Sequence, residues 1–178
     1  NNGKASAIPV GIVAIGRNEG ERLRKCLKSV MEQATKVVYV DSGSTDGSVG
    51  MARTLGVAIV ELDMAVPFTA ARARNEGYKS LSEAAPELDY VQFVDGDCEV
   101  VAGWLEKAAR FLGEHPDVAV VCGRRRERFP DLSVYNMLCD IEWDTPVGEA
   151  KSCGGYAIVS TDAFEDAVKY RAGLIAGE

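Results

Sequence analysis

The feature that most constrains the fold is a repeated alternation of strand-length apolar runs, polar turns and helical stretches. β-Branched apolar runs predict strands over Val10–Ile15, Lys36–Val40, Val57–Leu62, Tyr90–Val94 and Val118–Cys122. Apolar residues at helical spacing between these runs predict helices over residues 23–31, Ser48–Leu55, Ala70–Ala84 and Trp104–Leu112. Strands that alternate with helices in this way form a mainly parallel central sheet flanked by helices on both faces. The predicted fold class is therefore α/β and Rossmann-like.

The last third of the chain has a weaker pattern. Periodicity fades between Arg124 and Lys151, so irregular structure is expected there. Ala157–Val159 then predicts one more strand and Asp162–Val168 one more helix. A chain of 178 residues, 47% of them hydrophobic, is long enough to bury a substantial core, which favours one domain over residues 1–178.

Composition excludes several classes of function. With 20 basic and 27 acidic residues the net charge is -7, the wrong sign for a surface that attracts nucleic acid. No stretch reaches the roughly 20 uncharged apolar residues of a membrane span, and the polar start, Asn1 to Ala7, does not resemble a signal sequence. These observations favour a cytoplasmic protein, with association to the cytoplasmic side of a membrane left open. The five cysteines lack the C-x-x-C spacing of a zinc site.

Two carboxylates follow the strand Tyr90–Val94 directly, as Asp95-Gly96-Asp97. Side chains at positions i and i+2 of an extended chain share a face, and a glycine between them lets a ligand approach the backbone closely. Hard oxygen ligands of this kind suit Mg²⁺ or Mn²⁺ shared with phosphate oxygens. The alternative is an ordinary Asp-Gly turn that caps the next helix. Its place at the carboxyl end of a central strand favours the metal turn.

A second polar turn, Asp41 to Asp46, follows the strand Lys36–Val40. An aspartate at Asp41 can accept hydrogen bonds from a ribose hydroxyl or a base N–H. Ser44, Thr45 and Asp46 equally suit a turn and helix cap, and we expect capping for Asp46. The segment matches neither the phosphate loop of nucleotide triphosphatases nor a dinucleotide-binding fingerprint.

Arginines occur in two places where an anion would stabilise them. Arg72 and Arg74 open the helix Ala70–Ala84, where the helix dipole favours anions over cations. We expect Arg74 to reach a diphosphate and Arg72 to be solvated. A later arginine run comprises Arg124, Arg125, Arg126 and Arg128. Such a run is typical of a solvated basic edge. If the strand continues through it, Arg124 and Arg126 share one face and meet an anionic substrate, and Arg125 matters less than either.

Together these segments resemble the family 2 glycosyltransferases of the GT-A fold, and the resemblance extends from Ile8 to the last residue. Each motif is short, but their order and spacing are specific. The motifs are Arg17-Asn18-Glu19 after the first strand, the turn Val40 to Asp46, Ala73-Arg74-Asn75-Glu76-Gly77, Asp95-Gly96-Asp97, and Gly154-Gly155 followed by Ala163-Phe164. Members commonly carry two consecutive aspartates where this chain has Asp41-Ser42.

The resemblance implies an enzyme that moves a sugar from a nucleoside diphosphate donor to a hydroxyl of a saccharide or other acceptor, with inversion and with a divalent metal, Mn or Mg. Residues 1–123 would bind the nucleotide sugar and residues 124–178 the acceptor. Asp97, assisted by Asp95, would bind the metal, and the general base would be Glu178 or an acid just beyond it. Substrate contacts would come from Arg17, Glu19, Asp41, Arg74, Asp95, Gly154 and Gly155.

Two other functions stay open. One is a module that holds a nucleotide sugar without turning it over. The other is a sugar nucleotidyltransferase, which would need a glycine-rich basic loop after the first strand. Residues Ile15 to Glu19 do not form such a loop, so this second alternative is the weaker one.

Overall fold

The computed structural model describes residues 9–167 and 169–171. These residues form one six-stranded sheet with six helices around it. The strands are β1 (Val10–Gly16), β2 (Lys36–Asp41), β3 (Ala58–Glu61), β4 (Tyr90–Asp95), β5 (Val120–Cys122) and β6 (Ala157–Ser160). The helices are α1 (Glu21–Met31), α2 (Ser48–Thr54), α3 (Ala70–Ala84), α4 (Trp104–Glu114), α5 (Val134–Glu142) and α6 (Thr161–Asp166).

The strand order, β3-β2-β1-β4-β6-β5, brings most of the polar strand ends to one edge of the sheet. β1 to β4 run parallel, and β6 is antiparallel to both β4 and β5. In this register Gly16 pairs with Asp41 and Ile15 pairs with Asp95. The carboxyl ends of β1, β2, β4 and β5 and the amino end of β6 therefore share one edge, which we call the carboxyl edge.

Both faces of the sheet are buried, as expected for parallel strands covered by helices. Successive residues of β1 point to opposite faces. Ile12 packs in the cluster that contains Leu23 and Leu27 of α1, and Val13 packs in the cluster that contains Tyr78 and Leu81 of α3. The predicted α/β class, with a mainly parallel sheet and helices on both faces, is confirmed.

β5 ends at Cys122, as predicted, and does not continue through the arginine run. One prediction for the second half of the chain is wrong. Residues 134–142 form a helix, α5, within the segment expected to be irregular. Its start is capped, because the Ser133 hydroxyl accepts a hydrogen bond from Asn136 N at 3.2 Å. None of its residues is buried. Val134, Met137, Leu138 and Ile141 nevertheless recur at helical spacing, a pattern that indicates a helix and that the expectation of irregular structure overlooked.

The other predicted elements are present with small shifts at their ends. The expected helix Asp162–Val168 corresponds to α6, although Val168 lies outside the described residues. Across the part of the chain that the structure describes, we find no helix with the length and apolar character that a membrane crossing requires.

Helix α3 packs unusually close to the sheet at Gly77. A Cβ added there would lie 2.4 Å from Val13 Cγ1 and 2.7 Å from Val40 Cγ2. Those two atoms belong to β1 and β2, so the close approach seats α3 on both strands whose ends form the candidate site. The two valines are buried and cannot move aside freely.

We predict that Gly77→Ala lowers the free energy of unfolding by about 1–3 kcal/mol, because the added methyl overpacks a filled core. Gly50→Ala in α2 is the matched control, since a Cβ there meets no atom within 4 Å. Alanine in an open helical position should leave stability unchanged or raise it by up to about 1 kcal/mol. Urea unfolding measures both variants. Equal effects would contradict the close packing of α3.

Candidate functional site

The loops after β1 and β2 are tied together at the carboxyl edge. Asn18 N donates to Ser44 Oγ at 2.8 Å, and Thr45 N donates to Asn18 Oδ1 at 2.7 Å. Asn18 adopts a positive φ of 56°, which Asn tolerates better than most residues. Arg17 precedes it and is exposed to solvent. The two loops therefore form one wall of the edge.

Asp41 is buried and holds the shape of its own turn. Its Oδ1 accepts a hydrogen bond from the Tyr39 hydroxyl at 2.8 Å. Its Oδ2 accepts from the backbone N–H groups of Gly43 at 2.9 Å and Ser44 at 2.8 Å. With 2% of its surface exposed, this carboxylate fixes the backbone that faces the edge. Whether it also contacts a nucleoside stays a prediction.

Asp46 was expected to cap α2, but Gly47 occupies the N-cap position and no side chain caps the helix there. Asp46, one residue earlier, accepts a hydrogen bond on Oδ1 from Ser48 N, the first residue of α2, at 3.0 Å. Hydrogen bonding to the Ser48 side chain and to its backbone N–H lowers the pKa of the exposed Asp46 carboxyl, because both favour its charged form.

Carboxylates from β1 and β4 and from the turn after β2 converge at the carboxyl edge. Burial raises the pKa of Glu19, and Asp97, Asp46 and Asp95 raise it further, whereas Arg22, whose Nη2 lies 2.7 Å from Glu19 Oε2, acts against them. Glu19 lies against the turn after β4, since a Cβ added at Gly96 would lie 3.4 Å from Glu19 Cγ, and a Cβ added at Gly20 would lie 3.4 Å from Asp46 Oδ2. The edge therefore carries an excess of negative charge that a bound cation would relieve.

An ion pair joins α3 to the end of β4. Arg74 Nη2 lies 2.8 Å from Asp95 Oδ1, and the Arg74 side chain is only 7% exposed, whereas that of Asp95 is 37% exposed. Burial raises the pKa of Asp95, and the guanidinium opposes that shift. Arg72, expected to be solvated, instead donates from Nη1 to backbone carbonyl oxygens of Asp63 and Val66.

Gly155 makes room for this ion pair. A Cβ added at Gly155 would lie 2.1 Å from Arg74 Nη2 and 3.2 Å from Asp95 Oδ1. Its neighbour Gly154 adopts a positive φ of 58°, a conformation that glycine adopts without strain. The predicted Gly154-Gly155 motif thus lies at the site and borders the Arg74–Asp95 pair.

The two aspartates of the predicted metal turn have different surroundings. Asp95 is held by Arg74, whereas Asp97 is exposed. The residues that the structure describes contain no cluster of three or more His, Cys, Asp or Glu arranged to hold a metal. Mg²⁺-type ions commonly bind through one or two carboxylates plus substrate phosphates and waters. The turn fits an ion shared with a ligand and does not form a complete protein cage.

Asn75 contributes a contact that sequence reasoning missed. Its Nδ2 donates to Tyr170 O at 2.7 Å, and Tyr170 N donates to its Oδ1 at 3.1 Å. The Tyr170 ring packs 5.1 Å from the Phe93 ring, centroid to centroid, and the Arg74 Cζ lies 5.4 Å from the Tyr170 ring centroid. The amide thus anchors residues 169–171 beside the ion pair. The predicted base, Glu178, lies outside the described residues.

The strand face that Arg124 and Arg126 would share does not form, because β5 ends at Cys122. Arg124 Nε pairs with Asp144 Oδ1 at 3.2 Å, and Arg126 makes two hydrogen bonds to the Asp140 carboxylate at 2.8 and 2.9 Å. These arginines are occupied by carboxylates near α5.

Arg125, which we expected to matter less, lies beside Trp143 and Tyr156, and Tyr156 directly follows Gly155 of the site. Its Cζ lies 3.8 Å from the centroid of the Trp143 ring system and 5.4 Å from that of Tyr156. Its charge acts to lower the pKa of Asp95, although burial keeps that pKa raised overall. The residue order alone gave no sign of this, because Trp143 is far along the chain.

The carboxyl ends of the parallel strands meet at one edge of the sheet. That edge carries the predicted metal turn, the two hydrogen-bonded loops and the buried Arg74. This arrangement is that of an α/β protein of the GT-A type. The chain matches the profile of glycosyl transferase family 2 over residues 12–146, and it belongs to that family. Glycosyltransferase AglE of Haloferax volcanii is 32% identical over an alignment of 111 residues, and the match covers 57% of this chain.

Solved structures agree on the fold. A mannosyltransferase of Pyrobaculum calidifontis, in complex with GDP-Man and Mn²⁺, is 23% identical and superposes with a TM-score of 0.63, covering 93% of this chain and 48% of its own. Glucosyl-3-phosphoglycerate synthase of Mycobacterium tuberculosis, in complex with Mn²⁺ and UDP-Glc, is 21% identical with a TM-score of 0.60, covering 89% and 58%. The matches to two curated relatives span 24% and 35% of their lengths.

We predict that Gly155→Ala separates Arg74 from Asp95, because the new methyl occupies the position of the guanidinium. The pKa of Asp95 should then rise further, since the charge that opposes its shift has moved away. Carboxyl ¹³C NMR titration of Asp95 measures this change.

Arg74→Gln should shift the pKa of Asp95 in the same direction. Gly113→Ala in α4, where a Cβ meets its nearest atom at 3.6 Å, should leave the titration unchanged. An unaltered Asp95 titration in Gly155→Ala would contradict the role given to Gly155.

Proposed function

We propose that this chain is the nucleotide-sugar-binding part of a glycosyltransferase that transfers a sugar from a nucleoside diphosphate to an acceptor hydroxyl, with inversion and with a divalent metal. The observation that carries the proposal is the packing of Glu19 against the Asp95-Gly96-Asp97 turn at the carboxyl edge, beside the buried Arg74. Similar structures that hold GDP-Man or UDP-Glc together with Mn²⁺ support it.

The excess of carboxylates fits a bound divalent ion, which would act as a Lewis acid toward the leaving nucleoside diphosphate. Asp97 would be its main ligand, because Asp97 is exposed, whereas Asp95 is partly buried and paired with Arg74. Asp95 would assist, with its carboxylate oriented by Arg74. These two hard oxygen donors match the preference of Mg²⁺ and Mn²⁺.

We assign the donor nucleoside to the wall formed by the loops after β1 and β2. Glu19 presents a carboxylate to the edge, and Asp41 shapes the turn that faces it and keeps lone-pair capacity on Oδ1. Arg74 would orient Asp95 at the diphosphate end. The remaining assigned contacts are Arg17, Gly154 and Gly155.

The acceptor hydroxyl must lose its proton as it attacks the anomeric carbon, which calls for a positioned carboxylate. We assign that role to Glu178 or an acid just beyond it, within an acceptor-side half that comprises residues 124–178. A single direct displacement would invert the configuration. Asn75, by holding residues 169–171, would steady the chain that leads to this base.

Calorimetric titration of UDP and GDP, each with and without Mn²⁺, tests the donor site. We expect one nucleotide to bind in a metal-dependent manner, and Asp97→Ala to weaken that binding roughly tenfold or more through the loss of a charged ligand. Asp117→Ala, in the loop between α4 and β5, is the control and should bind as the unaltered chain does. Metal-dependent binding retained in Asp97→Ala would refute the metal assignment.

The alternative function is a module that binds a nucleotide sugar without transfer. Product analysis with the donor class identified by calorimetry separates the two. Metal-dependent release of nucleoside diphosphate, with or without added acceptor, would support the enzyme. Tight donor binding with no turnover in a chain that includes the acid beyond Glu178 would support the binding module.

A further inference from the structure

The arginine run contains one member whose charge is not matched by a carboxylate. Arg124, Arg126 and Arg128 pair with Asp144, Asp140 and Glu99 respectively. For Arg125, no carboxylate among residues 9–167 and 169–171 lies within ion-pairing distance, and its Nε is buried without a hydrogen-bond partner there. A buried donor without a partner is costly, so such groups usually have a role or a ligand.

Two aromatic rings hold the Arg125 guanidinium in place. Trp143 lies 3.8 Å below it, and Tyr156 lies 5.4 Å away. Stacking on a ring face occupies the plane of a guanidinium and leaves the N–H groups on its rim available. The rim matches the oxygens of a phosphoryl group, with which arginine forms paired hydrogen bonds. The cation is therefore preorganised for an oxyanion.

The sheet places Arg125 on the opposite side of the metal turn from the loops after β1 and β2, to which the donor nucleoside is assigned. Strands lie about 4.8 Å apart, so the ends of β2 and β5, each two strands from β4, lie roughly 10 Å to either side of the metal turn. Asp41 is at the end of β2, and Arg125 follows the end of β5 by three residues. The Arg125 guanidinium lies beside Tyr156, which directly follows Gly155, and a Cβ added at Gly155 would lie 3.2 Å from Asp95 Oδ1.

We infer that Arg125, stacked on Trp143, forms a phosphoryl-binding subsite at the carboxyl edge, on the side away from the nucleoside. This inference rests on the proposed function for the identity of the neighbouring donor site. The phosphoryl group comes either from the diphosphate of the donor or from a phosphorylated acceptor. Both sources present the same tetrahedral oxyanion to the guanidinium.

The experiment compares Arg125→Gln with Arg124→Gln, a neighbouring arginine that is already paired and serves as the matched control. UDP and GDP are titrated with Mg²⁺, and inorganic phosphate is titrated separately at constant ionic strength set by sodium chloride. Arg125→Lys, which keeps the charge but loses the planar fork, is the second variant, and circular dichroism verifies that each variant folds.

If the donor supplies the phosphoryl group, Arg125→Gln raises the Kd of the nucleotide roughly tenfold or more and Arg124→Gln leaves it within about twofold. If the acceptor supplies it, Arg125→Gln leaves nucleotide affinity intact and abolishes phosphate binding. In either case the affinity of Arg125→Lys for the affected ligand lies between that of the unaltered chain and that of Arg125→Gln. Phosphate binding that depends on Arg125 in a chain that binds no nucleotide would preserve this inference and refute the proposed donor site.

The inference is overturned if Arg125→Gln, folded, binds nucleotide and phosphate as the unaltered chain does. It is also overturned if Arg124→Gln weakens binding equally, or if the unaltered chain binds neither probe. Arg125 would then serve only to pack against Trp143 and to offset the charge of Asp95.

Discussion

The ion pair between the buried Arg74 and the partly buried Asp95 is the interaction on which the candidate site depends. A buried arginine without a partner would be strongly destabilising, so the pair links α3 to the end of β4. The seating of α3 at Gly77 and the missing side chain at Gly155 both make the pair possible. It leaves the two aspartates of the turn in different surroundings, since Asp95 is held by the protein and Asp97 is exposed.

Parallel pairing explains why polar residues from distant parts of the chain meet. Gly16, Asp41 and Asp95 are aligned by the register of β1 with its two neighbours. Loops that leave the same edge can then bond to each other, as Asn18 does with the turn after β2. The same geometry concentrates negative charge, which is an unfavourable arrangement for an isolated fold and a favourable one for binding a cation with a diphosphate.

The four arginines after β5 have different surroundings despite their similarity in sequence. Three are paired with carboxylates, two of them on or just after α5, and the fourth, Arg125, is stacked on Trp143. Their roles depend on where β5 stops and on α5, which presents Asp140 and ends at Trp143. The apolar residues of α5 recur at helical spacing and indicate a helix, but nothing in that pattern shows which of the arginines stacks on Trp143.

The sequence alone determined the α/β class, because alternating apolar periodicity is a local property, and the order of its short motifs indicated the family. Asp95, Asp97, Arg74 and the Gly154-Gly155 pair belong to those motifs, and packing brings Gly155 against the Arg74–Asp95 pair. Tertiary structure decided the inward burial of the Asp41 carboxylate, the anchoring of Tyr170 by Asn75 and the stacking of Arg125 on Trp143. Each depends on contacts between side chains and backbone whose geometry is set only once the sheet register and the surrounding loops are in place.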